Sequence, residues 1–101
     1  DKALQYCEQV LPILQELFGE RHPETANSLN NIGVVYDNKG EYDKALQYFE
    51  QALSIRQESL EEGHPSTILA LNNIAEMYDK MGNLGKAAEY RALVEQVTRT
   101  R

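Results

Sequence analysis

The sequence predicts an all-α fold built from a repeated pair of helices, and three observations support that prediction. The chain has 101 residues, of which 42% are hydrophobic, and this length allows a single small domain. Residues 1–59 set against residues 43–101 without gaps give 26 identities in 59 pairs, so the chain repeats with a period of 42 residues. Within each period the apolar residues are spaced by three and four, which is the spacing of one helix face. Each period should therefore form two helices.

The two periods share identical strings of residues and do not merely have a similar composition. They are His22-Pro23 and His64-Pro65, Leu29-Asn30-Asn31-Ile32 and Leu71-Asn72-Asn73-Ile74, Tyr36-Asp37 and Tyr78-Asp79, Gly40 and Gly82, and the six residues from Asp1 and from Asp43.

The first two helices are predicted from these strings. The first covers residues 2–17, and Pro12 inside it should remove one hydrogen bond and kink the helix. The second covers residues 24–38, because Pro23 suits a first helical turn and Gly40 suits the junction that follows.

The other three helices follow from the repeat. The third covers residues 42–60. The fourth covers residues 66–81, where Pro65 and Gly82 take the places of the earlier proline and glycine. The fifth covers residues 84–98 and is equivalent to the third. The turns are short, so neighbouring helices should be antiparallel.

The chain is expected to be one repeat domain over residues 1–101 and a fragment of a longer array. Residues 1–23 form the second helix of a truncated repeat and a linker, residues 24–65 form repeat one, and residues 66–101 form repeat two. Stacked repeats bury their faces on their neighbours, so the first helix should leave apolar residues partly uncovered. These are Leu4, Leu11 and Leu14.

Charge and cysteine content limit the classes of function. The net charge is −6 and the pI is near 4.8, which argues against nucleic-acid binding. Residues 1–65 hold 12 acidic and 5 basic side chains, so basic partners are favoured. Cys7 is the single cysteine and no apolar run reaches the length of a membrane span, so we expect a cytoplasmic protein without membrane contact.

No catalytic or metal-binding pattern is present, so no enzyme activity, cofactor or metal is expected. His22 and His64 lie 42 residues apart in equivalent linkers without a cysteine nearby, which favours a structural role. Glu61 and Glu62 are expected in a solvated turn, and Cys7 at a position equivalent to the core residue Phe49.

The apolar and small residues of the repeats carry a family resemblance. In repeat one they are Leu29, Ile32-Gly33, Tyr36, Ala45, Phe49 and Ala52. In repeat two they are Leu71, Ile74-Ala75, Tyr78 and Ala87, with Arg91 at the aromatic position and Val94 at the last small position. This order resembles the tetratricopeptide repeat. The 42-residue period and the linker Glu62-Gly63-His64-Pro65 resemble the subtype found in kinesin light chains.

The resemblance implies a right-handed superhelical solenoid of about five antiparallel helices, in which the first helix of each pair lines a concave peptide-binding groove. On the second helix of the chain it implies groove positions for Asn27, Asn30, Asn31, Val34, Asp37 and Asn38. On the fourth helix it implies Leu69, Asn72, Asn73, Glu76, Asp79 and Lys80.

The asparagine doublets leave two interpretations open. An amide offers donors and acceptors together, which suits the backbone of an extended peptide. Alternatively, one asparagine of each pair bonds a neighbouring turn or helix and holds the repeats in register. A clamp for a terminal carboxylate is not expected, because only Lys80 is basic among the groove positions. The acids there should favour ligands that carry Lys or Arg.

Three hypotheses about function follow. The main one is a protein interaction module, an adaptor or scaffold that binds a partner segment in the groove and is cargo-adaptor-like if kinship with kinesin light chains holds. The alternative is a structural spacer or self-assembly element whose exposed ends pair with other repeats. A third is the substrate-recognition arm of an enzyme encoded elsewhere in a parent chain.

Overall fold

A computed structural model describes residues 2–61 and 63–99. This part of the chain forms five α-helices and no strand: α1 (Lys2–Phe18), α2 (Pro23–Asn38), α3 (Tyr42–Ser59), α4 (Pro65–Lys80) and α5 (Leu84–Arg99). Every bound lies within one residue of the prediction. The predicted segments also include Asp1, Glu62, Thr100 and Arg101, which lie outside the described residues. None of the five helices is long and apolar enough to cross a lipid bilayer.

The helix ends are built from the repeated linker and turn residues. His22 and His64 are the N-caps of α2 and α4, and the Nδ1 atom of each accepts a hydrogen bond from the N–H two residues later, at 3.0 and 3.1 Å. The prolines that follow occupy the first helical turn, where an N–H would have no partner. Gly40 has a φ of +78°, which side-chain-bearing residues rarely adopt. The His-Pro linkers are therefore helix starts.

The two helices of a pair are antiparallel. The rings of Tyr36 and Tyr48 stack with their centroids 5.7 Å apart, and Gly33, one turn earlier in α2, lies against Phe49, which follows Tyr48 in α3. Tyr78 and its partner Tyr90 repeat the first contact between α4 and α5 at the same distance. Residue number rises along one helix as it falls along the other.

The hydrophobic core passes from one helix pair to the next through α3. One cluster joins α3 to the following helix and contains Ala45, Phe49, Leu53, Ala70, Leu71, Ile74 and Met77. A second cluster joins α3 to the preceding helix and contains Ala26, Leu29, Ala52 and Ile55. Because α3 contributes to both, the repeats stack as an α-helical solenoid.

The helix α1 packs on the stack from one side only. It contains no buried residue, and Leu4, Leu11 and Leu14 are half-buried, so these three leucines are partly uncovered as predicted. It continues without a break past Pro12, so this proline does not end the helix. Cys7 is also half-buried, whereas its equivalent Phe49 is buried.

Candidate functional site

The equivalent helices α2 and α4 lie side by side. The side-chain nitrogen of Asn73 donates to Oδ1 of Asn30 at 3.1 Å, and the ammonium of Lys80 donates to Oδ1 of Asp37 at 2.7 Å. Each contact joins residues 43 apart, and the two contacts are separated by seven residues, or about two turns, along each helix. The helices α2 and α4 are therefore parallel and in a fixed register.

The four asparagines of the doublets have different surroundings. Asn30 is 9% exposed and its amide oxygen is engaged, and its partner Asn73 is half-buried. Asn31 and Asn72 are exposed. One asparagine of each doublet therefore bonds across the repeat junction, and the other faces outward.

The predicted groove positions divide by exposure. Those exposed are Asn27, Asn31, Val34 and Asn38 on α2 and Leu69, Asn72, Glu76 and Lys80 on α4. Asp37, Asn73 and Asp79 are half-buried, and Asn30 is buried. Val34 and Leu69 are 40% and 50% exposed, so the outward face of this helix pair has apolar side chains among its amides and charges.

Salt bridges pair the acids on this face with bases. The Lys80 ammonium lies 2.7 Å from Asp37 and 3.4 Å from Glu76, and the hydrogen bond to Asp37 raises the pKa of Lys80. Asp79 pairs with Arg91 of α5, whose hydrogen bond lowers the pKa of the Asp79 carboxyl. These five groups together carry one net negative charge. The surface is therefore less acidic than its carboxylates alone suggested.

The side chain of Asn27 accepts a hydrogen bond from the buried Arg56, which was not predicted from the sequence as a functional residue. Arg56 of α3 is 3% exposed, and its guanidinium donates to Oδ1 of Asn27 at 2.9 Å and to the Ser66 carbonyl at 3.2 Å. Burial lowers the pKa of Arg56. The arginine thus links α3 to both α2 and α4. Its equivalent one period earlier is Leu14, and a change from leucine to arginine at a core-facing position was the available signal.

Asn27 and Asn31 also border a cleft between α1 and α2. It has a volume of about 230 Å3, and α1 contributes Tyr6, Cys7, Val10 and Leu14 to its wall. The exposed side of α2 therefore has this cleft next to it toward α1 and has α4 next to it on the other side.

Within residues 2–61 and 63–99, no three His, Cys, Asp or Glu side chains lie close enough together to hold a metal ion. The arrangement offers hydrogen-bonding amides, paired charges and apolar side chains, which are the elements of a binding surface.

Known proteins share both the sequence pattern and the fold. The family model for the tetratricopeptide repeat matches residues 1–58 and 38–91. No curated protein matches the chain.

Solved structures similar to the chain cover nearly all of it. BtubC (BKLC) from P. vanneervenii is 28% identical over 95% of this chain, with a TM-score of 0.86. A Podosopora anserina protein with nearly identical TPR-like repeats, described as a kinesin light chain, is 24% identical over 97%, with a TM-score of 0.85. The chain spans 39% of the first and 46% of the second protein's length. It belongs to the tetratricopeptide repeat family, and its repeats are of the kinesin-light-chain-like type.

Proposed function

We propose that the chain is a protein interaction module that binds a peptide segment of a partner in a concave groove, which the outward face of α2 and α4 would line. Tetratricopeptide repeats generally mediate protein–protein interaction, and the chain has the sequence and fold of that family. In a parent protein the module would serve as a cytoplasmic adaptor or scaffold, with a cargo-adaptor role as its most specific form.

The observation that carries the proposal is the register of the two helices. The Asn30–Asn73 and Asp37–Lys80 contacts hold α2 and α4 parallel before any ligand arrives. A surface that is already ordered loses less conformational entropy when it binds. The outward face of the pair is then a preformed platform two helices wide.

The side chains on this platform suit an extended peptide. Such a segment has backbone N–H and C=O groups that no helix or sheet satisfies, and the exposed amides of Asn31, Asn38 and Asn72 can pair with both kinds. Val34 and Leu69 offer exposed apolar contacts for the side chains of the peptide. We therefore propose an extended peptide whose backbone bonds the asparagine amides and whose apolar side chains contact Val34 and Leu69.

Charge favours a ligand that carries Lys or Arg. The face has one net negative charge, and the chain as a whole carries −6. A basic ligand must compete with Lys80 and Arg91 for the carboxylates, so its charge contribution will be modest and sensitive to salt. A ligand held by its terminal carboxylate is not proposed, because Lys80 is already engaged by Asp37 and Glu76.

The test is selection of a displayed random peptide library on the purified chain and on two variants. Asn31→Ala/Asn72→Ala removes two exposed amides of the proposed surface, and Gln9→Ala/Gln47→Ala removes two exposed amides of α1 and α3 as the matched control. Circular dichroism and urea unfolding check that each variant folds. Peptides that bind the wild type and the control but not the asparagine variant support the proposal. It fails if no peptide is enriched, or if the selected peptides bind all three proteins equally.

A self-assembling repeat is the second candidate, and exposed apolar residues at both ends of the stack favour it. Tyr6, Ile13 and Leu17 of α1 and Leu84 and Leu93 of α5 are exposed. Assembly would cover them by end-to-end stacking. Light scattering over a hundredfold concentration range tests this candidate. A rise in mass that persists in the Asn31→Ala/Asn72→Ala variant would favour assembly over peptide binding.

A further inference from the structure

Two clefts occur at equivalent positions in successive repeats, and the residues that line them are not those of the proposed peptide surface. Cleft one, of about 320 Å3, lies between the end of α1, the first linker, α2 and α3. Cleft two, of about 360 Å3, lies between the end of α3, the second linker, α4 and α5. Most positions that line cleft one recur 42 residues later in cleft two, as in the pairs Gln15 and Gln57, Leu29 and Leu71, and Ile55 and Val97.

Cleft one has its own guanidinium group. Arg21 comes from the linker, and its Nε donates to Oε2 of Glu58 at 2.6 Å while its Nη2 donates to the Ser54 hydroxyl at 2.7 Å. The buried hydroxyl of Thr25 beside this linker donates to the Gly19 carbonyl at 2.7 Å. Each polar group named here has a partner from within the chain.

Cleft two lacks the guanidinium. Gly63 stands where Arg21 stands in cleft one, and its φ of +81° is a conformation that a side chain would strain. Thr67, the equivalent of Thr25, is 5% exposed and lines the cleft, and its hydroxyl has no hydrogen-bond partner among the described residues. Buried hydroxyls rarely remain unpaired.

The lining of cleft two is complementary to a cation with an aliphatic stem. Glu61 is the charged side chain among the described lining residues, and Gln57 and Gln96 add two amide oxygens as acceptors. Leu71 and Leu93 supply apolar surface next to these groups. Arginine combines a planar set of five donors with a three-carbon stem that packs on apolar surface.

We infer that cleft two binds the guanidinium group of an arginine side chain from a partner protein, at the place that Arg21 occupies in cleft one. Glu61 supplies the charge, and the two glutamine amides accept hydrogen bonds. The Thr67 hydroxyl, which solvent does not reach in the free chain, accepts a further bond once its side chain rotates toward the guanidinium. An ammonium group fits less well, because it cannot contact several acceptors through one planar fork.

The test is an NMR titration of the 15N-labelled chain with N-acetyl-arginine amide, with N-acetyl-citrulline amide as the uncharged probe of the same shape. We expect saturable shifts of the backbone amides of Gly63, Thr67 and Gln96, and about tenfold weaker binding of the citrulline probe because the charged hydrogen bonds are lost. The Asn31→Ala/Asn72→Ala variant should bind the arginine probe as the wild type does, so this result is independent of the peptide surface.

Variants locate the site. Thr67→Val and Glu61→Gln should each weaken binding of the arginine probe, whereas Thr25→Val should not, because that hydroxyl lies beside the first linker and is already bonded. Glu61 is exposed, so its variant keeps the test valid if Thr67→Val folds poorly. The inference is wrong if citrulline and arginine bind equally, if shifts centre on residues outside cleft two, or if Glu61→Gln binds like the wild type.

Discussion

Asn73 of α4 donates its side-chain N–H to Oδ1 of Asn30 in α2, and the two atoms are 3.1 Å apart. The sequence equivalent of Asn30 one period later is Asn72, so the bond runs diagonally between the two doublets. Asn30 is buried, and this contact is therefore part of the junction between repeats as well as the floor of the candidate binding surface.

Loss of this bond should destabilise the chain. Asn30→Ala leaves the half-buried amide of Asn73 without its acceptor, so we expect the free energy of unfolding to fall by about 1–2 kcal/mol. Asn72→Ala changes the exposed equivalent and should lie within about 0.5 kcal/mol of the wild type. Urea unfolding followed by circular dichroism measures both. Equal losses in the two variants would contradict a structural role for Asn30.

The close approach of Gly33 to Phe49 makes a second prediction. A Cβ atom at Gly33 would lie 2.7 Å from Cε1 of Phe49, so Gly33→Ala must displace a buried ring. We expect a net loss of about 1–3 kcal/mol, although alanine is the better helix former. Repeat two has Ala75 with Arg91 at these positions, which agrees with the need for a small residue opposite phenylalanine.

Gly85 provides the matched control for that substitution. An added Cβ there meets only Oδ1 of Asn83, at 3.9 Å, so Gly85→Ala should keep or gain up to about 1 kcal/mol of stability. Thermal unfolding compares the two glycine variants, and Phe49→Leu should recover part of the loss caused by Gly33→Ala. If both alanine variants are stabilised, the contact with Phe49 is not limiting.

Substitution of Asn27 and substitution of its partner Arg56 should change the stability of the chain by different amounts. Asn27→Ala leaves a buried guanidinium with one acceptor fewer, so we expect a loss of about 1–3 kcal/mol in the free energy of unfolding. Arg56→Leu removes the buried charge itself and places a leucine there, as at the equivalent position 14 of the preceding period. It should change the free energy of unfolding by less than about 1 kcal/mol. The double variant should match Arg56→Leu in chemical denaturation. Additive losses would show that the two side chains are not coupled.

The helices of this chain were predictable, because periodicity, prolines and glycines act locally. The contacts across the repeat junction were not, since they depend on how far one repeat is shifted against the next. Identical residues recur every 42 positions, whereas Asn30 bonds Asn73 and Asp37 bonds Lys80, 43 positions apart. The sequence therefore predicted the asparagine doublets as a site of interest without telling which asparagine is buried.

The ion pairs of this surface were likewise not predictable from the sequence. The carboxylates near Lys80 were visible in the sequence, but their pairing depends on the distance between α4 and its neighbours. Arg91 was recognised as a departure from the aromatic position, and the structure brings it to Asp79. Arg56 was not recognised, because its own helix does not distinguish a buried arginine from an exposed one, and the signal was the leucine at the equivalent position 14 one period earlier.

The Asp79–Arg91 pair should make stability depend on pH in the acid range. Arg91 lowers the pKa of the Asp79 carboxyl in the folded chain below its ordinary value of 3.8, so the ionised form is favoured by folding. This contribution is fully present above about pH 5 and is lost as the pH falls through 3.8 and then through the lowered folded value. The urea midpoint of the wild type should therefore fall more steeply between about pH 5 and pH 2 than that of Asp79→Asn or Arg91→Gln. Parallel pH profiles for the three proteins would show that the pair does not stabilise the fold.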